Sequence, residues 1–162
     1  MILEDINKFS ELLCSLRKHN PELKVVLTCG GFDPVHIGHL RCFQESVKIK
    51  NDLGNSIFVI VANGDEFLKA KKGSVFMPEL ERMEILYGFK GVDYVVKWYD
   101  GSQNCSGAIQ LIKPNIFTKG GDRNSIEKIP EKEACDKIGC EIRLGIGGKK
   151  VQSSSWLTKG KI

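Results

Sequence analysis

Lys24-Val-Val-Leu-Thr-Cys-Gly-Gly-Phe-Asp-Pro-Val-His-Ile-Gly-His39 is the stretch from which the rest of the chain is read. Lys24–Thr28 is a short run rich in β-branched residues, the pattern of a buried strand. Gly30 and Gly31 break that run and let the backbone turn sharply, leaving room for a phosphate close to the main chain. A helix is expected to begin near Gly38 and to run to about Asp52. His36 and His39 stand three apart where that helix starts, so both can point to one side. Gly38 between them has no side chain to obstruct a ligand. Free N–H groups and the positive dipole end at a helix N-terminus form an anion site. A single histidine is ordinarily structural. These are two of the three in the chain, packed into one glycine-rich strand-to-helix turn.

Outward from this stretch the pattern alternates. Spacing of Ile2, Ile6, Phe9, Leu13 and Leu16 predicts an amphipathic helix over residues 3–19, ended by Asn20-Pro21. Strands are expected at 57–62, 94–97, 115–118 and 141–144. Helices are expected at 78–89, 106–112 and 131–138, with a last one starting at 153–155. Alternation of this kind means an α/β, Rossmann-like, doubly wound parallel sheet of about five strands. The 162 residues suit a single domain over the whole chain, with the helix of residues 1–22 packed on it. Ligands of such sheets bind beyond the carboxyl ends of the strands, where the strand order reverses.

Composition narrows the function. The longest apolar run, Ile57–Ala62, is too short to span a bilayer, and the first residues carry acids where a signal peptide needs a basic start. A cytoplasmic protein is expected. The formal charge of +4 is spread through the chain, with small clusters at Lys69–Lys72 and Lys149-Lys150. No basic stripe interleaved with aromatics marks a nucleic-acid surface, so small anionic ligands are the expected partners, with no nucleic acid and no membrane. Six cysteines form no CxxC pair, so neither structural zinc nor a catalytic thiol is expected, and each is read as an apolar filler.

The remaining strand ends carry further candidates. Asn63-Gly-Asp65 follows the second strand and reads by itself as an ordinary turn. Lys72 stands in Phe67–Gly73, read as a basic surface loop, where lysines neutralise phosphate or simply remain solvated. Arg82 opens a helix and offers either a planar fork to phosphate or a surface ion pair. Asp33 either caps its turn or lies near reacting phosphates. Lys119-Gly-Gly-Asp122 follows a short strand; its glycines admit a base or ribose, and Asp122 can accept from an amino or hydroxyl group. Ser153, Ser154 and Ser155 stand at a helix start, where capping and phosphate binding draw on the same amides. Gly147-Gly-Lys149 lacks the spacing of a P-loop, and no GxGxxG follows the first strand.

His36-Ile-Gly-His39, preceded by Gly31-Phe32-Asp33, resembles the HxGH signature of the cytidylyltransferase-like nucleotidyltransferases, and the likeness extends over nearly the whole chain. Lys119-Gly-Gly-Asp122, Pro78-Glu-Leu-Glu-Arg82 and Val92–Val96 bring it nearest to the heptose-phosphate adenylyltransferase domain of bacterial ADP-heptose synthase. The resemblance implies catalytic roles for His36, His39, Lys72 and Arg82. It implies nucleotide binding by Gly30, Gly31, Phe32, Asp33, Gly38, Lys119, Gly120, Asp122 and Ser153–Ser155. Asn63 and Asp65 would face the acceptor, with Mg²⁺ arriving on the triphosphate near Asp33 and no organic cofactor. The family also allows a homodimer. ATP is favoured over CTP, the nucleotide of the related glycerol-3-phosphate cytidylyltransferases, and a non-catalytic nucleotide-binding module is the rival from another class. Gly31 and the basic Gly147–Lys150 stretch depart from the pattern and leave the acceptor open.

Overall fold

The computed structural model describes residues 1–121, 123 and 125–160. The elements run β1 (Ile2–Leu3), α1 (Ile6–His19), β2 (Lys24–Gly30), α2 (Ile37–Leu53), β3 (Ser56–Asn63), α3 (Asp65–Lys72), α4 (Glu79–Tyr87), β4 (Tyr94–Trp98), α5 (Ser106–Ile112), β5 (Ile116–Thr118), α6 (Lys132–Ile138), β6 (Glu141–Arg143) and α7 (Ser154–Thr158). The strands form one parallel sheet in the order β1-β4-β3-β2-β5-β6. From β2 the chain winds outward to β3 and β4, then returns to lay β5 on the other side of β2. The order therefore reverses between β2 and β5, and the site is expected at their carboxyl ends.

Alternate side chains on the central strands enter two cores. Val25, Leu27, Val59 and Val61 meet Phe9 and Leu13 of α1, Ile109 of α5 and Cys135 of α6. Val26, Phe58 and Ile60 meet Phe43 of α2 and Met83 and Leu86 of α4. This two-residue alternation with both faces covered produces the continuous apolar runs seen in the sequence.

Two elements differ from expectation. The sheet has six strands, not about five, because Ile2–Leu3 pairs with Val95–Val96 at the edge, where the pattern had placed the start of a helix. Asp5 sets the boundary: its side chain accepts from the Asn7 amide, so α1 begins at Ile6. The second is Phe67–Gly73, which is not a loop. Phe67 and Leu68 are both 1% exposed and draw the segment into helix α3, which ends at Gly73 with a left-handed φ of 82°. Its lysines fall in the last turn, near the negative dipole end. Gly31 packs closely here: a Cβ there would come 2.7 Å from Leu68 Cδ2 and would require that methyl group to shift.

Arg82 is fully buried in α4, contrary to both readings of its sequence position. Its Nε donates to Met77 O at 2.8 Å, its Nη1 to Gly31 O and Asn63 O at 2.7 Å each, and its Nη2 to Asp65 Oδ1 at 2.7 Å. A guanidinium so enclosed cannot reach a phosphate. Replacing it by Met leaves three carbonyls and a carboxylate without their donor. Arg82→Met is expected to lose about 3 kcal/mol or more of unfolding free energy in a denaturant titration. A loss below about 1 kcal/mol would contradict this structural role.

Candidate active site

A cavity of about 650 Å³ opens at the carboxyl ends of β2 and β5. Its lining brings together His36, Gly38 and His39 from the turn into α2, Lys71 and Lys72 from α3, Lys119 and Gly120 after β5, and Ser153–Ser155 at the start of α7. Among the described residues, six basic ones (Lys71, Lys72, Lys119, Arg123, Lys149 and Lys150) line it against one acid, Glu131. Such an imbalance in a concave site concentrates positive potential on an anion.

The two histidines hold each other in one geometry. His36 is the N-cap of α2: its Nδ1 accepts from the Gly38 amide at 3.1 Å. His39 returns the arrangement, its Nδ1 accepting from the His36 amide at 3.2 Å. Both Nδ1 atoms therefore present lone pairs, so both neutral rings carry their proton on Nε2. The rings stack with centroids 3.7 Å apart. Burial lowers the His39 pKa to about 3, with the charges of His36 and Lys72 adding to the effect. Burial, then Lys150, also lowers His36. Each imidazole is thus a neutral donor at physiological pH. A Cβ on Gly38 would come 2.9 Å from His36 Cε1, so this glycine keeps the first ring in place.

Phe32 supports the pair from behind. It is 4% exposed at a φ of 53° and meets His39 edge-on at 5.0 Å and Phe43 at 5.4 Å. A non-glycine residue in that conformation costs about 1 kcal/mol, offset here by the aromatic packing. Gly30 admits the Phe32 ring, which lies 3.0 Å from where a Cβ would stand.

Other candidates are redistributed. Asp33 is 3% exposed and does not line the cavity; its carboxylate accepts from the Phe76 and Met77 amides at 2.9 and 2.6 Å. It caps the approach to α4. Asp65 is likewise turned away, pairing with Arg82 and lining a separate cleft of about 560 Å³ beside Glu79 and Lys97. Asn63 stays on the cavity wall, 6% exposed, where its Oδ1 accepts from the Cys105 thiol at 3.4 Å. Asp122 lies outside the described residues.

The carboxyl-terminal segment closes one side. Gly147, at a φ of 88°, packs on α2 where a Cβ would meet Cys42 N at 2.6 Å, and its amide donates to Glu45 Oε2 at 2.7 Å. Ser153 caps α7 by accepting from the Trp156 amide, and the Ser154 hydroxyl donates to Pro34 O at 2.8 Å. That bond ties the serines to the histidine turn. It also brings Lys149 and Lys150 to the cavity rim.

Among the lining residues to which the sequence reading gave no part in the site are Cys29 and Cys105, read there as apolar fillers, and Glu131. Their ligand atoms lie within 4.8 Å of one another, close enough to gather round a soft metal ion. Lys119 Nζ already supplies positive charge there, 3.5 Å from Glu131 Oε2 and 3.8 Å from Cys29 Sγ. Burial alone would lower the Lys119 pKa, but the charges of Cys29, Glu131 and Cys105 outweigh it and raise the ammonium above its ordinary value. Cys29 was legible only by its place at the end of β2. Nothing local marks Cys105 or Glu131, which arrive from the starts of α5 and α6.

Comparison with known proteins agrees with this geometry. The chain is 31% identical over 144 residues to a protein named "Bifunctional protein HldE" from Nitratiruptor sp., covering 87% of this chain and 29% of that one. It is 33% identical over 130 residues to the protein of the same name from Citrifermentans bemidjiense, covering 79% and 25%. The chain thus spans less than a third of the length of these relatives. A solved structure titled as the lipopolysaccharide core biosynthesis protein from Thermoplasma volcanium superposes with a TM-score of 0.58 at 23% identity, over 80% of this chain and 98% of that one, and shares the fold. Among the described residues no helix is long and apolar enough to cross a membrane. The profile of the cytidylyltransferase-like family matches residues 27–141, and with the paired histidines at the sheet's switch point the chain belongs to that family of nucleotidyltransferases.

Proposed function

We propose that the protein transfers a nucleoside monophosphate from a nucleoside triphosphate, ATP in preference, to a small phosphorylated acceptor such as a sugar 1-phosphate, releasing pyrophosphate. The observation that carries this reading is the pair of neutral Nε2–H donors fixed at the rim of a cavity lined, among the described residues, by six basic groups and one acid. Nucleotidyl transfer needs the polyphosphate held in line and its developing charge stabilised, with little covalent chemistry from the protein. The preference for ATP and for a sugar phosphate rests on the resemblance of Lys119-Gly-Gly-Asp122 to the heptose-phosphate adenylyltransferases. The reading places the protein in a cytosol-like compartment, where both substrates are found.

An oxygen of the acceptor's phosphate attacks the α-phosphorus and pyrophosphate leaves in line. His36 and His39 donate from Nε2 to phosphate oxygens at the reacting end. Lys72, with Lys71, Lys149 and Lys150 around it, balances the triphosphate charge. Ser153–Ser155 hold the leaving pyrophosphate. Lys119 and Gly120 border the nucleoside, and Asn63 meets the acceptor. Arg82, Asp33 and Asp65 act at one remove, shaping the loops that carry these groups. Among the described residues the lining offers one carboxylate, Glu131, beside thiol and lysine neighbours, a donor set that fits Mg²⁺ arriving on the triphosphate itself. Mg²⁺ screens the phosphate charge when it arrives with the nucleotide. No covalent enzyme intermediate is involved.

Pyrophosphate release with Mg²⁺, assayed with ATP or CTP against sugar 1-phosphates and glycerol 3-phosphate, tests the proposal. Turnover with ATP and a sugar 1-phosphate is expected. Turnover confined to CTP and glycerol 3-phosphate would transfer the protein to the cytidylyltransferase branch with the mechanism intact. Nucleotide binding without turnover on any acceptor would favour a binding module. His36→Ala is expected to lower turnover at least about 100-fold while nucleotide affinity stays within about tenfold, since the ring acts most strongly on charge that develops in the transition state.

His39 also fixes the sign of a stability change with pH. In the unfolded chain it takes up a proton near its ordinary value of about 6.5, but in the fold only near about 3. Between those values the unfolded state binds more protons, so the stability present above pH 6.5 is lost as pH falls. The difference in unfolding free energy between wild type and His39→Asn, measured without nucleotide, is expected to fall steadily from pH 7 to pH 4. A difference independent of pH would show that His39 titrates normally in the fold.

A further inference from the structure

Cys29 and Cys105 meet on the cavity floor, and neither has a part in the transfer proposed above. Cys29 ends β2 and is partly exposed to the cavity, with Lys119 Nζ 3.8 Å from its sulfur. Cys105 precedes α5 and is 2% exposed. Its single S–H faces two acceptors, Asn63 Oδ1 at 3.4 Å and the Cys29 sulfur. The two sulfurs lie within 4.8 Å of each other. Glu131 stands behind them, 3% exposed; among the described residues its Oε2 has no hydrogen bond and its charged partner is the Lys119 ammonium at 3.5 Å.

We propose that Cys29 and Cys105 are an oxidisable dithiol pair, Cys29 attacking a hydroperoxide and Cys105 resolving the product to a disulfide within the substrate cavity. The roles follow from the surroundings. Cys29 has the cavity on one side and a lysine ammonium on the other, so its thiolate is both stabilised and accessible, the conditions under which a thiol reacts. The hydrogen bond from the Cys105 thiol lowers the Cys29 pKa most, burial opposes it, and Lys119 adds to the lowering. Cys105 is pushed the other way, first by donating that bond and then by burial, so it stays protonated until the second step.

In the first step the Cys29 thiolate attacks one oxygen of hydrogen peroxide. The O–O bond breaks, the sulfur becomes a sulfenic acid, and the departing hydroxide is protonated to water. In the second the Cys105 sulfur attacks the Cys29 sulfur. The S–O bond breaks, and the leaving hydroxide takes the thiol proton as a second water. Two thiols and one peroxide give one disulfide and two waters, the sulfurs losing two electrons and the peroxide gaining them. The crosslink joins the end of β2 to the start of α5 and removes the thiolate that faces Lys119. A soft metal ion could draw on the same three ligand atoms, but the ammonium already stands among them, which favours the dithiol chemistry.

The test uses the full-length protein, treated with hydrogen peroxide, alkylated at its remaining thiols and mapped by peptide mass spectrometry. A Cys29–Cys105 peptide pair, lighter by two hydrogens and restored by dithiothreitol, is expected to form at least about tenfold faster than oxidation of the exposed Cys14. In Cys105→Ser, Cys29 is expected to stop at a sulfenic acid that dimedone traps. The proposal is overturned if Cys29 and Cys105 remain alkylatable while Cys135–Cys140 or Cys14 oxidises. It is equally overturned if the purified protein carries a zinc ion that shields both thiols until a chelator removes it. The wild-type map decides even where the variant does not fold, and it needs no turnover, so its failure is distinct from failure of the transferase reading.

Discussion

One guanidinium ties together the segments that leave the sheet at its carboxyl edge. Arg82 bonds Gly31 after β2, Asn63 at the end of β3, Met77 before α4 and Asp65 at the start of α3. Asp33 extends the knot by accepting from Phe76 and Met77. A buried, unpaired charge is so unfavourable that these partners must all be present together. The backbone of the histidine turn, the loop before α4 and the cavity wall at Asn63 are therefore positioned as a unit. The cavity has its shape because this arginine is not available to the ligand.

The histidine pair is the chemical outcome of that constraint. With the turn fixed, each Nδ1 is spent on a backbone amide and each Nε2 retains its proton. Burial keeps both rings neutral, so the site offers directed hydrogen bonds from the histidines and mobile charge from the lysines. This division suits a transition state in which charge redistributes over phosphate oxygens. A fixed donor favours one geometry, whereas lysines on a helix end and a glycine-rich tail adapt to the polyphosphate.

Much of this was legible in the sequence because it follows from local pattern. Lys24–Thr28 and Ile57–Ala62 announced their strands by short runs rich in β-branched residues, and the strand–helix alternation gave the parallel sheet. His36 and His39 were legible because their spacing and their glycine are properties of one turn. What remained hidden depends on tertiary contacts. Arg82, Asp33 and Asp65 carry the residue types of a phosphate or metal site, and only the fold shows their polar atoms engaged by protein groups. Phe67 and Leu68 make α3 a helix through burial that the three lysines following them obscure. Ile2–Leu3 is too short for any period to reveal. Cys29, Cys105 and Glu131 are separated by tens of residues and become a cluster only when β2, α5 and α6 converge.

The central claim is that two neutral, Nε2-protonated imidazoles await a polyphosphate. The most direct measurement is the nitrogen-15 spectrum of the histidine side chains at pH 7, with and without the Mg²⁺ complex of ATP. The account predicts Nε2–H tautomers for His36 and His39 in the free protein, with both Nε2 signals shifting as nucleotide binds. Protonated rings, Nδ1–H tautomers, or signals indifferent to saturating nucleotide would contradict it.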